Sequence, residues 1–418
     1  MTRFNRERAL PVSAIIWLVI WPVLLGGCAQ TTASPSPDVS STCSCEPLAT
    51  PTVESLQTPS LPTAAASLSG RLVYESAGDI WIVEPGQSPR VLLTGGRNPY
   101  LSPTGDGLVF LRTNPELAYL CDLWLADFTC PATPAPCQVN ERRLIGPAEY
   151  GSPSIYDLAW SPDGRTVALT TGSNIKLLYS EDLWLVDVET GDYRQVLDDG
   201  GGVPDYSPDG AWIALSVPGG SWNQGQVSLI AADGSGYRPL FDQLFSYQGR
   251  WLPGGVLVAG IMRLTTEAPA ELWQVPVVGE PVRLALIPAA YGLRWSADGR
   301  RLAYLADDPA GWLHIAQADG SEPVAVPGTD GRTALHSWSP GGQFLAVIHD
   351  ERYFFLSDGP DLALIPMLAP FWFWLDDDSY LAAERTSQGH FEVSRAWLDG
   401  WREFLFVAES LNGLAYQP

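Results

Sequence analysis

The residues that could carry out chemistry are few in this sequence, and their spacing does not group them. The chain has four histidines, and the two that lie closest along it, His336 and His349, are thirteen positions apart. That spacing is not typical of a metal site, whose His and Cys ligands usually recur within a few residues. The acidic turns at 307–308 and 376–378 could bind Ca²⁺, but carboxylates in turns are usually only solvated. We therefore expect no metal and no cofactor.

A nucleophile for hydrolysis is not recognisable either. A serine hydrolase of the α/β type needs Gly-x-Ser-x-Gly together with an acid and a histidine. The sequence that ends at Ser221, Gly-Gly-Ser, lacks the second glycine. The residues from Ser161 to Thr166 are reminiscent of a sialidase Asp-box, but the box spacing, Ser-x-Asp-x-Gly-x-Thr-Trp, is not met. The sequence therefore predicts that the protein is not an enzyme.

The charge balance argues against one class of partner. The chain has 47 acidic and 24 basic residues, which gives a formal net charge of −23. Nucleic acids are bound through basic surfaces, because the phosphates must be neutralised. We therefore expect no nucleic-acid partner.

A repeated phrase organises the chain. It is complete at 160–164, where Trp160 is followed by Ser-Pro-Asp-Gly, and it recurs with changes along the chain. With the serine or its equivalent as the anchor, eight copies follow one another at intervals of 36 to 59 residues: Ser102, Ser161, Ser207, Leu252, Ser296, Ser339, Leu375 and Gln417. Most intervals lie in the forties, and such a period with turn residues at a fixed phase indicates a repeat architecture.

Each copy is accompanied by short apolar runs. After Gly164 these lie at 166–170, 182–187 and 193–197, and Gly and Asp residues separate them. The runs predict strands and the residues between them predict tight turns. Together with the strand that carries the Trp, each unit has four antiparallel strands. Four-stranded units repeated radially form the blades of a β-propeller.

The Trp-Ser-Pro-Asp-Gly phrase resembles the repeat of TolB-type propellers and of the propellers attached to dipeptidyl and prolyl peptidases. The resemblance covers most of 71–418 and implies an all-β fold. Eight anchors imply eight blades, with seven or six as alternatives. Residues 71–94 supply three strands without a leading one, and Leu414–Pro418 supply only a leading strand. We therefore expect the last strand to complete the first blade, which removes the exposed sheet edges of an open ring.

The first residues predict export rather than fold. Arg3, Arg6 and Arg8 precede an apolar stretch, and the sequence Leu-Gly-Gly before Cys28 resembles a bacterial lipobox. An ordinary secretory signal or an uncleaved anchor is the alternative. The following Ser/Thr/Pro-rich segment has too little apolar content to fold. We therefore divide the chain into a signal peptide (1–27), a disordered tether with lipidated Cys28 (28–69) and a propeller (70–418).

The cysteines predict one disulfide. Cys130 and Cys137 bracket a short Pro-rich loop that could close on itself, as an exported protein permits. Cys121 lies about 30 Å from Cys130 if the strand between them is extended at about 3.3 Å per residue. It therefore has no obvious partner there, and Cys43 and Cys45 could pair with it or with each other.

Candidate ligand-binding residues lie near the start of each leading strand, which we expect to be innermost. Three tyrosines recur there at one phase of the repeat, four residues before the anchor aromatic. They could line the mouth of a central channel or pack between blades, and His336 could be a structural histidine. The run from Phe371 to Trp374 is either a packed strand or a ligand patch. The candidates at the channel mouth are Asn98, Tyr156, Asp157, Tyr247, Gln248, Tyr291, His336 and Asn412.

These patterns predict a monomeric, lipid-anchored binding or scaffolding module on the extracytoplasmic side of a bacterial envelope. Its expected partner is an envelope protein, a peptide or a glycan, and it meets the membrane only through its lipid. The alternative is a glycoside- or lactone-type hydrolase, which would need two carboxylates or a metal at the channel mouth.

The lipobox reading can be tested by replacing Cys28 with Ser. A diacylated cysteine should hold the mature protein firmly at a membrane, because each buried CH₂ contributes about 0.8 kcal/mol. Fractionation of cells that express Cys28→Ser should show soluble protein or an uncleaved precursor. Membrane-bound protein of mature size in this variant would contradict the lipobox.

Overall fold

The computed structural model describes residues 68–418, except for 118–119, 133–134, 152–153, 173–180, 199–201, 218–225, 242–244, 263–268, 289, 357–361 and 368. The described residues form eight four-stranded antiparallel sheets in a ring, which is an all-β propeller. They contain one short helix, α1 (Pro147–Tyr150). No helix in these ranges has the length and apolar composition needed to cross a bilayer. The predicted signal peptide and nearly all of the predicted tether lie outside the described residues.

The strands are numbered along the chain and the blades around the ring. Blade 1 contains β1 (Arg71–Ser76), β2 (Asp79–Val83), β3 (Arg90–Thr94) and the last strand, β32 (Asn412–Gln417). Blade 2 contains β4 (Arg97–Leu101), β5 (Gly107–Thr113), β6 (Cys121–Thr129) and β7 (Gln138–Ile145). Blade 3 contains β8 (Ser154–Trp160), β9 (Thr166–Gly172), β10 (Glu181–Asp187) and β11 (Tyr193–Leu197). Blade 4 contains β12 (Val203–Tyr206), β13 (Trp212–Val217), β14 (Gln226–Ala231) and β15 (Arg238–Phe241).

The second half of the ring repeats the same order. Blade 5 contains β16 (Phe245–Leu252), β17 (Val256–Met262), β18 (Ala270–Val275) and β19 (Val282–Ile287). Blade 6 contains β20 (Tyr291–Trp295), β21 (Arg301–Leu305), β22 (Leu313–Gln317) and β23 (Val324–Ala325). Blade 7 contains β24 (Thr333–Trp338), β25 (Leu345–His349), β26 (Arg352–Leu356) and β27 (Leu364–Pro366). Blade 8 contains β28 (Phe371–Trp374), β29 (Ser379–Arg385), β30 (Phe391–Trp397) and β31 (Arg402–Ala408).

The predicted closure and the count of eight blades are confirmed. β32 pairs antiparallel with β1, with Leu72 opposite Tyr416 and Val73 opposite Ala415. The order in this sheet is β3-β2-β1-β32, so the last strand takes the leading place that the other blades fill from their own sequence. The alternatives of six and seven blades are wrong, because the divergent units near Ser102 and Leu375 also form complete four-stranded sheets.

The core of the molecule lies between the blades. The described residues contain eight apolar clusters, and each combines the facing sides of two successive blades. The cluster between blades 8 and 1 includes Tyr74 stacked on Phe406, with ring centroids 4.8 Å apart, and Leu68 is buried beside them. The chain therefore joins the propeller core two residues before the boundary that the sequence predicts.

The Ser-Pro-Asp-Gly phrase forms a self-contained turn after the leading strand. Ser161 Oγ donates to Asp163 Oδ1 at 2.6 Å and accepts from the Thr166 N–H at 2.9 Å. The N–H of Gly164 closes the turn on the carbonyl of Ser161, and its φ of 70° explains why glycine stands there. The turns at Ser207 and Ser296 have the same serine–aspartate bonds.

The anchor tryptophan has a different role, which is to join one blade to the blade before it. Four of these indoles donate to the carbonyl two residues before the anchor of the preceding blade, at 3.0 to 3.1 Å: Trp160 to Tyr100, Trp251 to Asp205, Trp338 to Arg294 and Trp374 to Ser337. Trp295 departs from this pattern and donates to Ala318 within its own blade. Phenylalanine could fill the space but not the bond, which explains the recurrence of Trp.

Disulfide bonding involves all three cysteines of the described residues. Cys130 and Cys137 are bonded to each other, with Cα atoms 4.2 Å apart. Arg90 of blade 1 donates to the carbonyls of Pro131 and Ala135, and so holds this loop against the neighbouring blade. Cys121, for which the sequence suggests no partner in the blade, is disulfide-bonded as well.

The closure predicts that the last strand is essential for stability. Deleting residues 411–418 removes Leu411 and Leu414, which are buried in the cluster between blades 8 and 1. Loss of this burial should lower the free energy of unfolding by roughly 3–6 kcal/mol, and β1 would gain an unpaired edge. Thermal unfolding should show a large drop in the midpoint or aggregation. Removing Pro418 alone, which lies beyond β32, is the control, and equal midpoints for the two deletions would contradict the closure.

Candidate functional site

The eight leading strands surround the axis of the ring. Because every blade repeats one strand order, these inner strands all begin at one end of the ring and run to the turns at the other. We call the end where they begin the mouth and the opposite end the turn face. The two ends differ in how far their polar groups are satisfied.

At the turn face, the Ser-Asp turns use their polar groups internally, whereas the hydroxyl of Tyr206, which lines a cavity there, has no hydrogen-bond partner among the described residues. The hydrogen bond from Ser161 and the amide of Arg165 hold the pKa of Asp163 below its ordinary value, and Ser207 and Ala211 do the same for the pKa of Asp209. These carboxylates are therefore fully ionised at neutral pH and already bonded. A cavity of about 490 Å³ lies between the turns of blades 3 and 4, and a second of about 480 Å³ lies between blades 2 and 3 along Asp127, Arg142 and Glu189.

At the mouth, the inner strands are irregular. Seven of the eight inner strands in the described chain have a β-bulge near their start, and only β12 pairs with its neighbour without a shift. A bulge leaves an extra residue outside the regular ladder and changes the direction of its side chain. The bulged residues are Asn98–Pro99, Tyr156, Tyr247, Gly292–Leu293, His336, Trp372 and Gly413–Leu414.

All eight predicted mouth residues lie within one of these bulges or directly beside one. Asn98, Tyr156, Tyr247 and His336 are bulge residues themselves. Asp157, Gln248, Tyr291 and Asn412 flank the bulges. The structure therefore brings the predicted set to one end of the ring, and their binding role stays a prediction. The side chains of Tyr247 and Gln248 lie outside the described part.

Blades 1 and 2 meet at the mouth through a carboxylate. Glu75 on β1 accepts the backbone N–H of Asn98 at 3.2 Å, and Asn412 is the partner of Glu75 in the sheet. Asn98 has a φ of 47°, a left-handed conformation that asparagine tolerates. Burial raises the pKa of Glu75, and the Asn98 amide and the Arg97 charge oppose the rise. Sequence reasoning missed Glu75 because it lies on the second strand of its blade.

The tyrosines do not form one lining. Tyr156 lies against Gly172, where an added Cβ would collide with its ring, so a small residue is required opposite the bulge. Tyr291 packs edge-on against Trp312, with centroids 6.4 Å apart, at the interface of blades 6 and 7. Of the two alternatives for the tyrosines, lining the mouth or packing between blades, Tyr291 therefore shows packing between blades. Burial raises its pKa to about 12, so it stays protonated.

His336 is a packed histidine. Its ring meets Phe371 edge-on at 4.9 Å between centroids, and its Nδ1 lies 3.1 Å from Ser337 Oγ. Burial, with a smaller contribution from the Arg294 charge, lowers the pKa of His336 to about 4. The imidazole is therefore neutral at physiological pH. Phe371 also contacts Trp374 and Tyr380, so this part of the aromatic run belongs to the core between blades 7 and 8.

The acidic turns are used within the fold. Asp376 accepts from Ser379 and Arg395, and Asp377 accepts from the Gly341 amide at 2.7 Å. Asp308 pairs with His314. Among the described residues, no group of three or more His, Cys, Asp or Glu side chains is arranged to hold a metal ion.

Charged residues that sequence reasoning missed lie two positions before the anchors of blades 4, 5 and 6. Asp205, Arg250 and Arg294 occupy this phase in consecutive inner strands. The Asp205 carboxylate accepts the backbone N–H of Trp251 at 3.2 Å, so it satisfies an amide on the free edge of the next inner strand. An alignment of the repeats could have revealed these charges, because the same position is occupied by an alanine in two other blades, Ala159 and Ala415.

Asp157 is the exception among the mouth carboxylates. It is partly exposed, and within the described chain its carboxylate has no hydrogen bond and no ion pair. Burial alone raises the pKa of Asp157 to about 6. At neutral pH the structure thus holds a largely ionised carboxylate without a compensating charge. In native proteins such a group is commonly found at a functional site.

The fold defines the molecule as an eight-bladed β-propeller whose mouth carries a carboxylate, Asp157, without a hydrogen bond or an ion pair among the described residues. No family model matches the sequence, and no curated protein matches it. Similar solved structures do exist, and their sequence identities of 15% or less support the fold alone.

Two of these structures are peptidases. The dipeptidyl peptidase 4 of Porphyromonas gingivalis has a TM-score of 0.55 and 13% identity, over 82% of this chain and 59% of that one. A prolyl endopeptidase has a TM-score of 0.51 and 15% identity, over 77% and 50%. TolB from Acinetobacter baumannii has a TM-score of 0.38 and 15% identity, over 84% and 67%. This chain thus spans only half to three-fifths of the two peptidases.

The pKa of Asp157 predicts a pH-dependent stability. A carboxyl group whose pKa is raised on folding destabilises the fold in its ionised form, so stability is lost as the pH rises through about 6. Asp157→Asn should therefore raise the free energy of unfolding at pH 8 by about 1–3 kcal/mol. The gain should shrink below pH 6 and vanish near pH 4. Denaturant titrations at several pH values measure this, and a gain that is constant with pH would contradict it.

Proposed function

We propose that this protein is a lipid-anchored, extracytoplasmic binding or scaffolding module of a bacterial envelope, and that it binds its partner at the mouth. The partner is an envelope protein, a peptide or a glycan. In this proposal the mouth of the propeller is the binding surface. The lipid on Cys28 anchors the propeller to the membrane surface through the segment 29–67.

The difference between the two ends of the ring carries the proposal. At the turn face, each Ser-Asp pair is bonded within its own turn, as at Ser161 and Asp163, where the hydroxyl donates to the carboxylate and two backbone N–H groups donate to the pair. At the mouth, bulges interrupt the ladders, and Asp157 has no partner in the described chain. A surface whose polar groups are unsatisfied gains more from a ligand than one whose groups are already bonded. The mouth is therefore favoured over the turn face.

Binding rather than catalysis is proposed because of how the mouth carboxylates are used. Glu75 accepts the amide of Asn98, and Asp205 accepts the amide of Trp251. These two groups cap the free edges of neighbouring inner strands, and they stand on blades 1 and 4, while Asp157 stands on blade 3. A hydrolase with two acting carboxylates would need a pair that converges on one bond.

Photocrosslinking in intact cells tests the proposal. A photoreactive phenylalanine analogue at Tyr156 would report contacts at the mouth, and the same analogue at Arg165 would report contacts at the turn face. Tyr156 lies on β8 and Arg165 directly precedes β9 of the same blade, so they form a matched pair. We expect the full-length, membrane-anchored protein to give discrete crosslinked products from position 156 and none from position 165.

The control is the Cys28→Ser variant, which should lose the crosslinks if the partner is met only at the membrane surface. Crosslinks from position 165 alone, or equal products from both positions, would contradict binding at the mouth.

A further inference from the structure

Two polar groups that have no hydrogen-bond partner among the described residues stand side by side in blade 3. Asp157 on β8 lies directly opposite Thr170 on β9 in the sheet register. Side chains of directly opposed residues point to the same face, with Cβ atoms about 5 Å apart. Thr170 is fully buried, and its Oγ1 has no hydrogen-bond partner. Unsatisfied buried hydroxyls are rare in native proteins, so each one calls for a physical explanation.

The face that carries this pair looks toward blade 4. Two residues along β8 and β9, Ala159 and Ala168 project from the same face and pack in the cluster between blades 3 and 4. Leu158 and Trp160 project from the opposite face toward blade 2. The pair thus sits at the mouth end of the interface between blades 3 and 4, beside the bulge at Tyr156.

Among the described residues, the neighbours of the pair supply no charge. On β10, Leu183 is opposite Thr170 and is buried in the same cluster. On β12, the residues that alternate toward blade 3 are Pro204 and Tyr206, and Pro204 has no N–H to donate. Asp205 points the other way, to the amide of Trp251 on blade 5. No charged group of the described chain contributes to the pKa of Asp157, which is raised by burial.

We infer that Asp157 and Thr170 form a subsite at the mouth for a cationic group, an ammonium or a guanidinium, carried by the ligand of the proposed function, on which this inference rests. An ionised carboxylate only accepts hydrogen bonds, and the threonine hydroxyl can accept one as well. A cationic donor would bond to the carboxylate and to the hydroxyl, and it would compensate the charge of Asp157.

Small organic cations test the subsite on the full-length protein in detergent. n-Butylammonium and n-butylguanidinium are the probes, and n-butanol is the neutral molecule of similar size. At pH 7.5 the cations should raise the thermal midpoint by about 1–4 °C at concentrations well above their dissociation constants, and butanol should not. At pH 5 the rise should shrink, because Asp157 takes up a proton. The facing strand carries two other titratable groups, Asp205 and Tyr206. Burial raises the pKa of Asp205, opposed by the Trp251 amide and the Arg250 charge, so the Asp205→Asn variant below controls for its titration. Burial also raises the pKa of Tyr206, which stays neutral at both pH values.

Three variants separate the subsite from general effects. Asp157→Asn should abolish the rise. Asp205→Asn, which removes a carboxylate that is already bonded, should keep it. Thr170→Val keeps the shape and removes a hydroxyl without a partner, so it should leave the unliganded midpoint unchanged or higher and halve the rise or more.

Equal shifts with butanol and the cations, or a full shift in Asp157→Asn, would overturn the inference. So would a crystal structure in which a bound water alone bridges the two side chains while the cations have no effect. If the crosslinks from position 156 persist but the cations fail, the subsite is rejected alone. If the cations bind at Asp157 but the crosslinks are absent, the proposed function is rejected alone.

Discussion

The burial of apolar surface between successive blades is the interaction on which the rest of this structure depends. A blade is a sheet with two apolar faces, and it can bury neither face by itself. The eight clusters show that every face finds its partner on the next blade, including the faces of blades 8 and 1. The indole bonds of Trp160, Trp251, Trp338 and Trp374 fix the position of each inner strand against its predecessor. The ring geometry, and with it the mouth, follows from this packing.

A consequence of that packing is that each blade has a free edge at the axis. Inner strands have a sheet neighbour on one side only, so part of their backbone amides face the axis without a ladder partner. Glu75 and Asp205 supply acceptors to such amides on the following blade. Asp157 is a third carboxylate on an inner or adjoining strand, but no amide of the described chain reaches it. A carboxylate near the axis thus accepts an amide of the following blade in blades 1 and 4, whereas in blade 3 no amide of the described chain occupies it.

The fold could be predicted from the sequence because its information is repeated. The anchors at Ser161, Ser207 and Ser296 each encode a turn through three local hydrogen bonds, and eight copies of the phrase gave the blade count and the closure. Even divergent copies, such as Leu375 with its acidic turn, kept the phase. The hydrogen bonds of such a turn join residues that are close in sequence, so the turn can be predicted from the sequence.

The sequence predicted where the mouth lies on the inner strands but not which contacts its residues make. The phase of Tyr156, Tyr247 and Tyr291 pointed to the right end of the inner strands, but bulges depend on pairing between strands and leave no signature in one strand. The satisfied state of Asp205 and the free state of Asp157 likewise depend on which amide the next blade presents. The packed state of His336 also depends on its surroundings, Phe371 above all, which come from a neighbouring blade. Contacts across blades are the part that sequence reasoning could not reach.

The pairing of β32 with β1 also determines the order in which the blades can be completed during folding. Residues 71 and 417, which are neighbours in the sheet, are separated by almost the whole propeller. Contacts so distant in sequence are slow to form, because a long segment of chain must be ordered or looped before they meet. As the chain emerges with its N-terminal end first, blades 2 to 8 can each assemble from local hairpins, whereas blade 1 remains a three-stranded sheet until the last strand arrives. The first blade to be made is the last to be completed, and until then its edge stays open to chaperones and to other chains.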